Sequence, residues 1–265
     1  MSNGELYTIL TNKAALGKKG AIVAMIAGTK SDDIIAIINK INSSKRDNVN
    51  EVTVDMANNM NLVIKRCFSQ ASTVIDRFHV QKLAAEAVQD IRVKFRWKAI
   101  DKENQEIENA KNSDYKYSPE ILSNGDTVKQ LLARSRYLLF KPETRWTDSQ
   151  LSRSKILFEH YPDIEKAYLL SQKLSFIYEN NTDKNIARTK LAHWYKEIEE
   201  SGFKAFNTAA RSIYYHYDNI LNYFNNRNTN ASAESFNAKI KRFRAEFRGV
   251  RDLQFFLFRL TKIFA

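Results

Sequence analysis

Residues 49–79 read VNEVTVDMANNMNLVIKRCFSQASTVIDRFH, and the order of residue types in them decides the fold. Val49–Val54 is a β-branched run that ends at Asp55. Asn58–Phe68 carries apolar residues at helical spacing. Ser72–Ile75 is a second β-branched run, and it ends at Asp76. Strand, helix, strand in so short a stretch is the pattern of a crossover unit, two parallel strands joined by a helix. Each strand ends in an acid, and the two acids are 21 positions apart (76 − 55). In open α/β sheets, sites form in the crevice beyond the carboxyl ends of parallel strands.

The pattern extends in both directions. Upstream, Glu5–Asn12 (ELYTILTN) alternates apolar and polar residues as a strand does. The turn sequence AALGKKG separates it from a second apolar strand, Ala21–Ala27 (AIVAMIA), and the pair predicts a hairpin. Ser31–Asn42 places Ile34, Ile35, Ile37, Ile38 and Ile41 at helical spacing, with Ser31 as the expected N-cap. Together these elements predict a mixed sheet with helical crossovers. Downstream of Phe78 the chain turns helical: His79–Asn112, Asp126–Phe140, Thr147–Glu159, Asp163–Asn180, Thr182–Glu200 and Phe203–Phe224. A polar loop, Asn225–Ser232, precedes a last helical stretch from Ala233, interrupted near Gly249. The fold class is therefore α/β and helix-dominated. Residues 1–92 are expected to carry the sheet, 93–226 a helical insertion, and 227–265 helices that return to the sheet.

Composition narrows the partners. The chain has 265 residues, 42 basic against 30 acidic, a formal net charge of +12, and a single cysteine, Cys67. Seven glycines and three prolines are too few for collagen, a low-complexity linker, or an all-β fold of many tight turns. One cysteine excludes an intramolecular disulfide framework and a cysteine-rich zinc site. The apolar runs Ala21–Ala27 and Phe255–Leu260 fall far short of the ~20 residues a membrane-spanning helix needs, and MSNGELYTIL does not read as a signal peptide. The expectation is a cytoplasmic protein without a membrane partner. Excess positive charge points to a polyanion, and the alternative is a solvated basic surface.

Three groups of residues carry candidate chemistry. Asp55 is either a metal-binding carboxylate at a strand end or a helix N-cap. Asp76 and His79, in the Asp-Arg-Phe-His sequence, pair an acid with an imidazole at the start of a long helix. His160, His193 and His216 have no paired ligand in sequence and read as structural. The helix from Ala233 has two faces at 100° per residue: Phe236, Ile240, Phe243 and Phe247 form one stripe, and Glu234, Asn237 and Lys241 form another. Lys239, Arg242, Arg244, Arg248 and Arg251 surround it with positive charge, as a solvated helix face also would.

The blocks VTVDMANNM, ASTVIDRFHVQKL and NASAESFNAKIKRFRAEFRGVRD, in that order, resemble the conserved blocks of a bacterial insertion-sequence transposase of the DDE class, ISL3 family. The resemblance implies a ribonuclease-H-like mixed sheet with a large all-helical insertion. It implies that Asp55 is the second acid of the triad and Glu234 the third, both binding metal, with Asp76, His79 and Asn237 in support. It implies contact of Lys239, Lys241, Arg242 and Arg244 with DNA: the insertion-sequence ends and a target duplex. Metal-assisted phosphodiester displacement explains the acids, since carboxylates suit Mg²⁺ or Mn²⁺. The family's first strand, first catalytic acid and upstream DNA-recognition region have no counterpart in this sequence. The expectation is thus a shortened, inactive copy with weak Mg²⁺ or Mn²⁺ binding, associated with the nucleoid and able to form a homo-oligomer. The competing expectation is a non-catalytic helical nucleic-acid-binding protein.

Overall fold

The computed structural model describes residues 6–112, 116–247 and 252–265, and so the expected break near Gly249, with Arg248 and Arg251, lies outside the described residues. The chain divides into two compact units. One is Met1–Arg77 with Asp218–Ala265, and the other is Phe78–Tyr217.

In the first unit, β1 (Tyr7–Thr11) and β2 (Ile22–Ala27) form the predicted antiparallel hairpin. Helix α1 (Ser31–Ile38) and a short helix α2 (Ser43–Asp47) lead to β3 (Glu51–Val54). Helix α3 (Asn58–Cys67) crosses to β4 (Ser72–Ile75), which lies parallel to β3 in the register Val54↔Ile75. Ser31 is not the N-cap of α1. Lys30 holds that position, and the Ser31 hydroxyl donates to the Asn59 carbonyl at 3.1 Å, tying α1 to α3.

Among the described residues the strands form two two-stranded ladders, β1–β2 and β3–β4, instead of one mixed sheet. One apolar layer covers both. Ile34, Ile35 and Ile38 of α1 and Val63, Ile64 and Cys67 of α3 pack with Leu10, Ala24 and Ile26 of the hairpin and with Val52 and Val54 of β3. The alternation of apolar residues encodes which face is buried. It does not encode whether two strand edges come within the ~4.8 Å that a ladder requires, so sequence pattern cannot tell one sheet from two under a shared helix layer.

The second unit is all-helical in its named elements. Helix α4 (Arg77–Lys111), 35 residues long, leads into it. It continues through α5 (Val128–Arg134), α6 (Asp148–His160), α7 (Pro162–Glu179), α8 (Lys184–Ser201) and α9 (Lys204–Tyr215). Thr127 with Gln130, and Thr147 with Gln150, form capping boxes that start α5 and α6. Trp194 is fully buried, and its indole N–H donates to the Leu170 carbonyl at 2.8 Å, joining α8 to α7. Asp126 is 1% exposed and accepts hydrogen bonds from Arg134 and from Arg153, the latter at 2.9 Å. Burial pulls its carboxyl upward, but the bonds from Arg153 and Arg134 outweigh that and hold it below the ordinary range. No helix among the described residues is long and apolar enough to cross a membrane.

The chain re-enters the first unit through α10 (Tyr217–Leu221) and α11 (Tyr223–Asn226). The Asn222 amide donates to the Thr73 carbonyl of β4 at 2.9 Å, and the Asn226 amide donates to the Glu51 carboxylate of β3 at 3.1 Å. Helices α12 (Ala231–Glu246) and α13 (Leu253–Phe264) follow. They cover the second face of the hairpin: Phe236, Ile240 and Phe243 of α12 and Phe256 and Leu260 of α13 pack with Ile9, Ile22 and Met25. The predicted aromatic stripe is thus a packing face. Ile22 reaches it through a bulge. Leu10 pairs with Ala24 and Thr11 with Ile22, so Val23 is the extra residue and is 46% exposed. One inserted residue reverses the side-chain alternation, which moves Ile22 to the face of Met25.

Two outcomes follow. Phe236→Ala should cost about 3–5 kcal/mol by emptying a site between α12 and the hairpin, whereas Val23→Ala at the exposed bulge should cost under about 0.5 kcal/mol. Urea unfolding followed by circular dichroism measures both. Asp126→Asn should cost about 1.5–3 kcal/mol at neutral pH, the range for hydrogen bonds to charged groups. The folded carboxyl titrates below its unfolded value, near 3.9. Its stabilisation is therefore complete above that value and is lost as pH falls through the lowered folded one. The gap between Asp126→Asn and the native chain in tryptophan-monitored unfolding should close on acidification.

Candidate active site

The crossover unit places two acids side by side. Asp55 and Asp76 each follow the last residue of their strand, one step beyond the Val54↔Ile75 pair, and the Asp76 amide donates to the Val54 carbonyl at 2.9 Å. Neighbouring strands run about 4.8 Å apart, so the two acids share the carboxyl edge of the ladder. Their surroundings differ. Asp76 is fully buried at the start of α4. Asp55 is half-buried, and its Oδ1 accepts the Ala57 amide at 3.0 Å. Ala57, not Asp55, holds the N-cap position of α3, so Asp55 turns the loop back on itself without capping the helix.

Glu234 arrives at this edge from a distant part of the chain, 158 positions after Asp76 (234 − 76). It stands in the first turn of α12, where a carboxylate also suits the positive end of the helix dipole. A carboxylate oxygen of Glu234 lies within 4.8 Å of one of Asp76. His79, three residues beyond Asp76 in the first turn of α4, offers a ring nitrogen within the same distance of the Asp76 carboxylate. Asp55 does not share in that close approach.

The donor set suits a divalent cation. Ligands at 2.0–2.1 Å in octahedral geometry stand about 2.9 Å apart when adjacent and about 4.2 Å apart when opposite. Groups within 4.8 Å of one another need only a small contraction to meet that geometry. Two carboxylates are hard oxygen donors of the kind Mg²⁺ or Mn²⁺ takes, and an imidazole widens the set toward Zn²⁺ and other transition metals.

The rest of α12 sorts its predicted residues. Asn237 and Lys241 are exposed and share the face of Glu234, at i+3 and i+7. Arg242 is exposed. Lys239 donates to the Gly17 carbonyl at 3.3 Å. The Arg244 guanidinium lies over the Phe256 ring, 4.7 Å from its centroid, and its Nη1 is buried without a hydrogen-bond partner among the described residues. Arg244 thus takes part in packing α12 on α13. Sequence reading misses the polar anchors of the return segment, Asn222, Asn226 and Asn228. Their only signal is the asparagine-rich run 222–230, which reads equally well as an ordinary loop.

A helix-dominated α/β chain with a net charge of +12 therefore brings Glu234 to Asp76 at the carboxyl edge of a parallel strand pair. The family model described as a transposase, of the DDE class and ISL3 type, matches residues 2–260, and the chain belongs to that family. It is similar to the transposase for insertion sequence element IS1001 of Bordetella parapertussis, 25% identical over 219 residues, which cover 82% of this chain and 48% of that protein. The chain thus spans about half the length of the curated relative it matches. No solved structure matches it.

The Arg244 geometry yields a prediction. Arg244→Ala should lower stability by about 0.5–2 kcal/mol, the range for a guanidinium on an aromatic face. Lys241→Ala and Arg242→Ala, being exposed, should each stay within about 0.5 kcal/mol. Thermal unfolding of the three variants separates the packing role from the surface ones.

Proposed function

We propose that this chain carries a metal-dependent DNA-processing centre of an insertion-sequence transposase, built on a ribonuclease-H-like arrangement of β3, β4 and α12. The observation that supports it most is the approach of Glu234 to Asp76, two acids 158 positions apart in the chain. Glu234 and Asp76 would hold a divalent cation, Mg²⁺ or Mn²⁺, with His79 three residues beyond Asp76. Asp55, one register step across the strand pair, is the second acid of the triad, as the family resemblance implies.

A cation held there would polarise a phosphoryl oxygen and make a bound water a better nucleophile. The residues of this chain supply the rest. Asp76 is buried and so presents a carboxylate that cannot swing into solvent. Asn237, one turn from Glu234, donates its amide to a phosphate oxygen. Lys241, a further turn on, neutralises backbone charge, and Arg242 adds to it. These contacts give affinity without a base code.

In-line displacement with two ions uses ligands for both, about 3.5–4 Å apart. The described residues bring together ligands for one. We therefore assign this chain weak cation binding and DNA binding, with little or no strand transfer of its own. Complete transposition, an oligomeric assembly and a place on the bacterial nucleoid are proposals that concern the whole transposase.

Calorimetric titration with Mn²⁺ tests the centre. The native chain should bind weakly, and Asp76→Asn or Glu234→Gln should each weaken binding at least about tenfold, the scale on which metal sites respond to loss of a supporting group. Asp55→Asn should have a smaller effect. Binding unchanged by both Asp76→Asn and Glu234→Gln in folded protein would sink the centre and leave the non-catalytic DNA-binding reading.

A further inference from the structure

The hairpin tip, residues 13–20 (KAALGKKG), joins β1 to β2 and takes no part in the carboxylate centre. Residues 6–30 contain four lysines, Lys13, Lys18, Lys19 and Lys30, and no acid. Lys18 and Lys19 are exposed and have no ion-pair partner among the described residues. Two like charges in adjacent positions, with nothing to neutralise them, are unfavourable in the free protein and favourable against a polyanion.

The tip is also held rigid. The Lys18 amide donates to the Ala15 carbonyl at 2.9 Å, and the Ala21 amide donates to the Lys18 carbonyl at 3.0 Å. Leu16, Gly17 and Gly20 all take positive φ, so the chain turns sharply on both sides of the two lysines. Two side-chain bonds then fasten the tip to the region of α12. Lys13 donates to the Asn228 side chain, and Lys239 donates to the Gly17 carbonyl. Gly17 suits this turn because its backbone stands at φ +69°, a conformation that other side chains rarely adopt. Lys239 lies five residues after Glu234, about 7.5 Å along the helix axis. The tip therefore flanks the same helix that carries the third acid.

We propose that this tip is a DNA-backbone clamp, with Lys18 and Lys19 contacting phosphates, and that Lys239 is a positioning residue that holds the tip instead of touching DNA. Duplex DNA is the partner that fits, because Arg242, exposed and three residues beyond Lys239 on the same side of α12, extends the positive surface of the tip in a chain of net charge +12. A rigid, pre-set tip loses little conformational freedom on binding. The proposal rests on the DNA-binding reading above.

The test is the salt dependence of binding by the full chain to a short fluorescent duplex of arbitrary sequence. Each phosphate contact contributes about 0.9 to the slope of log affinity against log salt. Lys18→Gln with Lys19→Gln should flatten the slope by about 1.8, narrowing the gap to the native chain about tenfold between ~50 and ~200 mM salt. Lys239→Met should flatten it too, but should have no further effect in the Lys18→Gln/Lys19→Gln background. Mn²⁺ affinity and the circular dichroism melt should stay unchanged in the lysine-tip variant. A slope unaltered by Lys18→Gln/Lys19→Gln overturns the clamp while leaving DNA binding standing. An additional loss of about 0.9 from Lys239→Met in that background overturns the positioning role. Absence of binding by the folded native chain at low salt overturns the DNA reading and the clamp with it.

Discussion

The first unit depends on a hairpin that is apolar on both faces. Leu10 and Ala24 face α1 and α3, while Ile9 and Met25 face α12 and α13. Two antiparallel strands are marginal in water by themselves, so this pair requires cover on each side. Cover for the first face comes from the next 40 or so residues. Cover for the second, among the described residues, comes chiefly from α12 and α13, at the far end of the chain. The hydrophobic demand of one short hairpin therefore forces the C-terminal helices home, and Glu234 travels with them.

Packing brings α12 to the hairpin, but it does not by itself set the helix's rotation. The bulge at Val23 contributes to that. By turning Ile22 to the outer face, it extends the apolar surface available to Phe236 along β2. With Phe236 buried, Glu234 sits two residues, about 200°, around the helix from the packed face. Glu234 is thus exposed on α12 because the aromatic stripe is not. The same division explains why Arg244 and Lys241, three residues apart in one basic run, differ in role: one lies over Phe256 and the other is exposed.

Much of this was legible in the sequence, and the limits have physical causes. The crossover Val49–His79, the aromatic stripe of α12 and the long helix after Arg77 all follow from periodicity, which local residue order records directly. The acids at the ends of β3 and β4 were legible for the same reason. The split into two ladders was not, because alternation reports burial and says nothing of edge-to-edge distance. Ser31 does not cap α1, and its hydroxyl donates instead to a tertiary partner, the Asn59 carbonyl, which no local rule anticipates. The close partners of Glu234 were the hardest to read. Family resemblance marked it as a ligand alongside Asp55, yet the close approach in the structure is to Asp76. Which of two adjacent strand-end acids a returning helix meets depends on helix rotation and on the Asp55 turn that engages Ala57.

The length of chain between the two acids is less demanding than it looks. The entropy of closing a loop grows only logarithmically with its length, about 0.6 kcal/mol for each doubling. Residues 78–217 also form a compact unit, with buried anchors such as Trp194 and Asp126, so little of that length is loop. What must be specific is the point of return. Asn222 on Thr73 and Asn226 on Glu51 fasten the returning segment to β4 and β3, and Lys13 on Asn228 fastens it to the hairpin tip. All three bonds precede Glu234 by a dozen residues or fewer. Each removes freedom from the segment that delivers the acid, and none depends on the helices inserted before it. A long stretch of chain can therefore separate Asp76 from Glu234, because the position of Glu234 is fixed locally, by amides and a lysine that bind strands and hairpin.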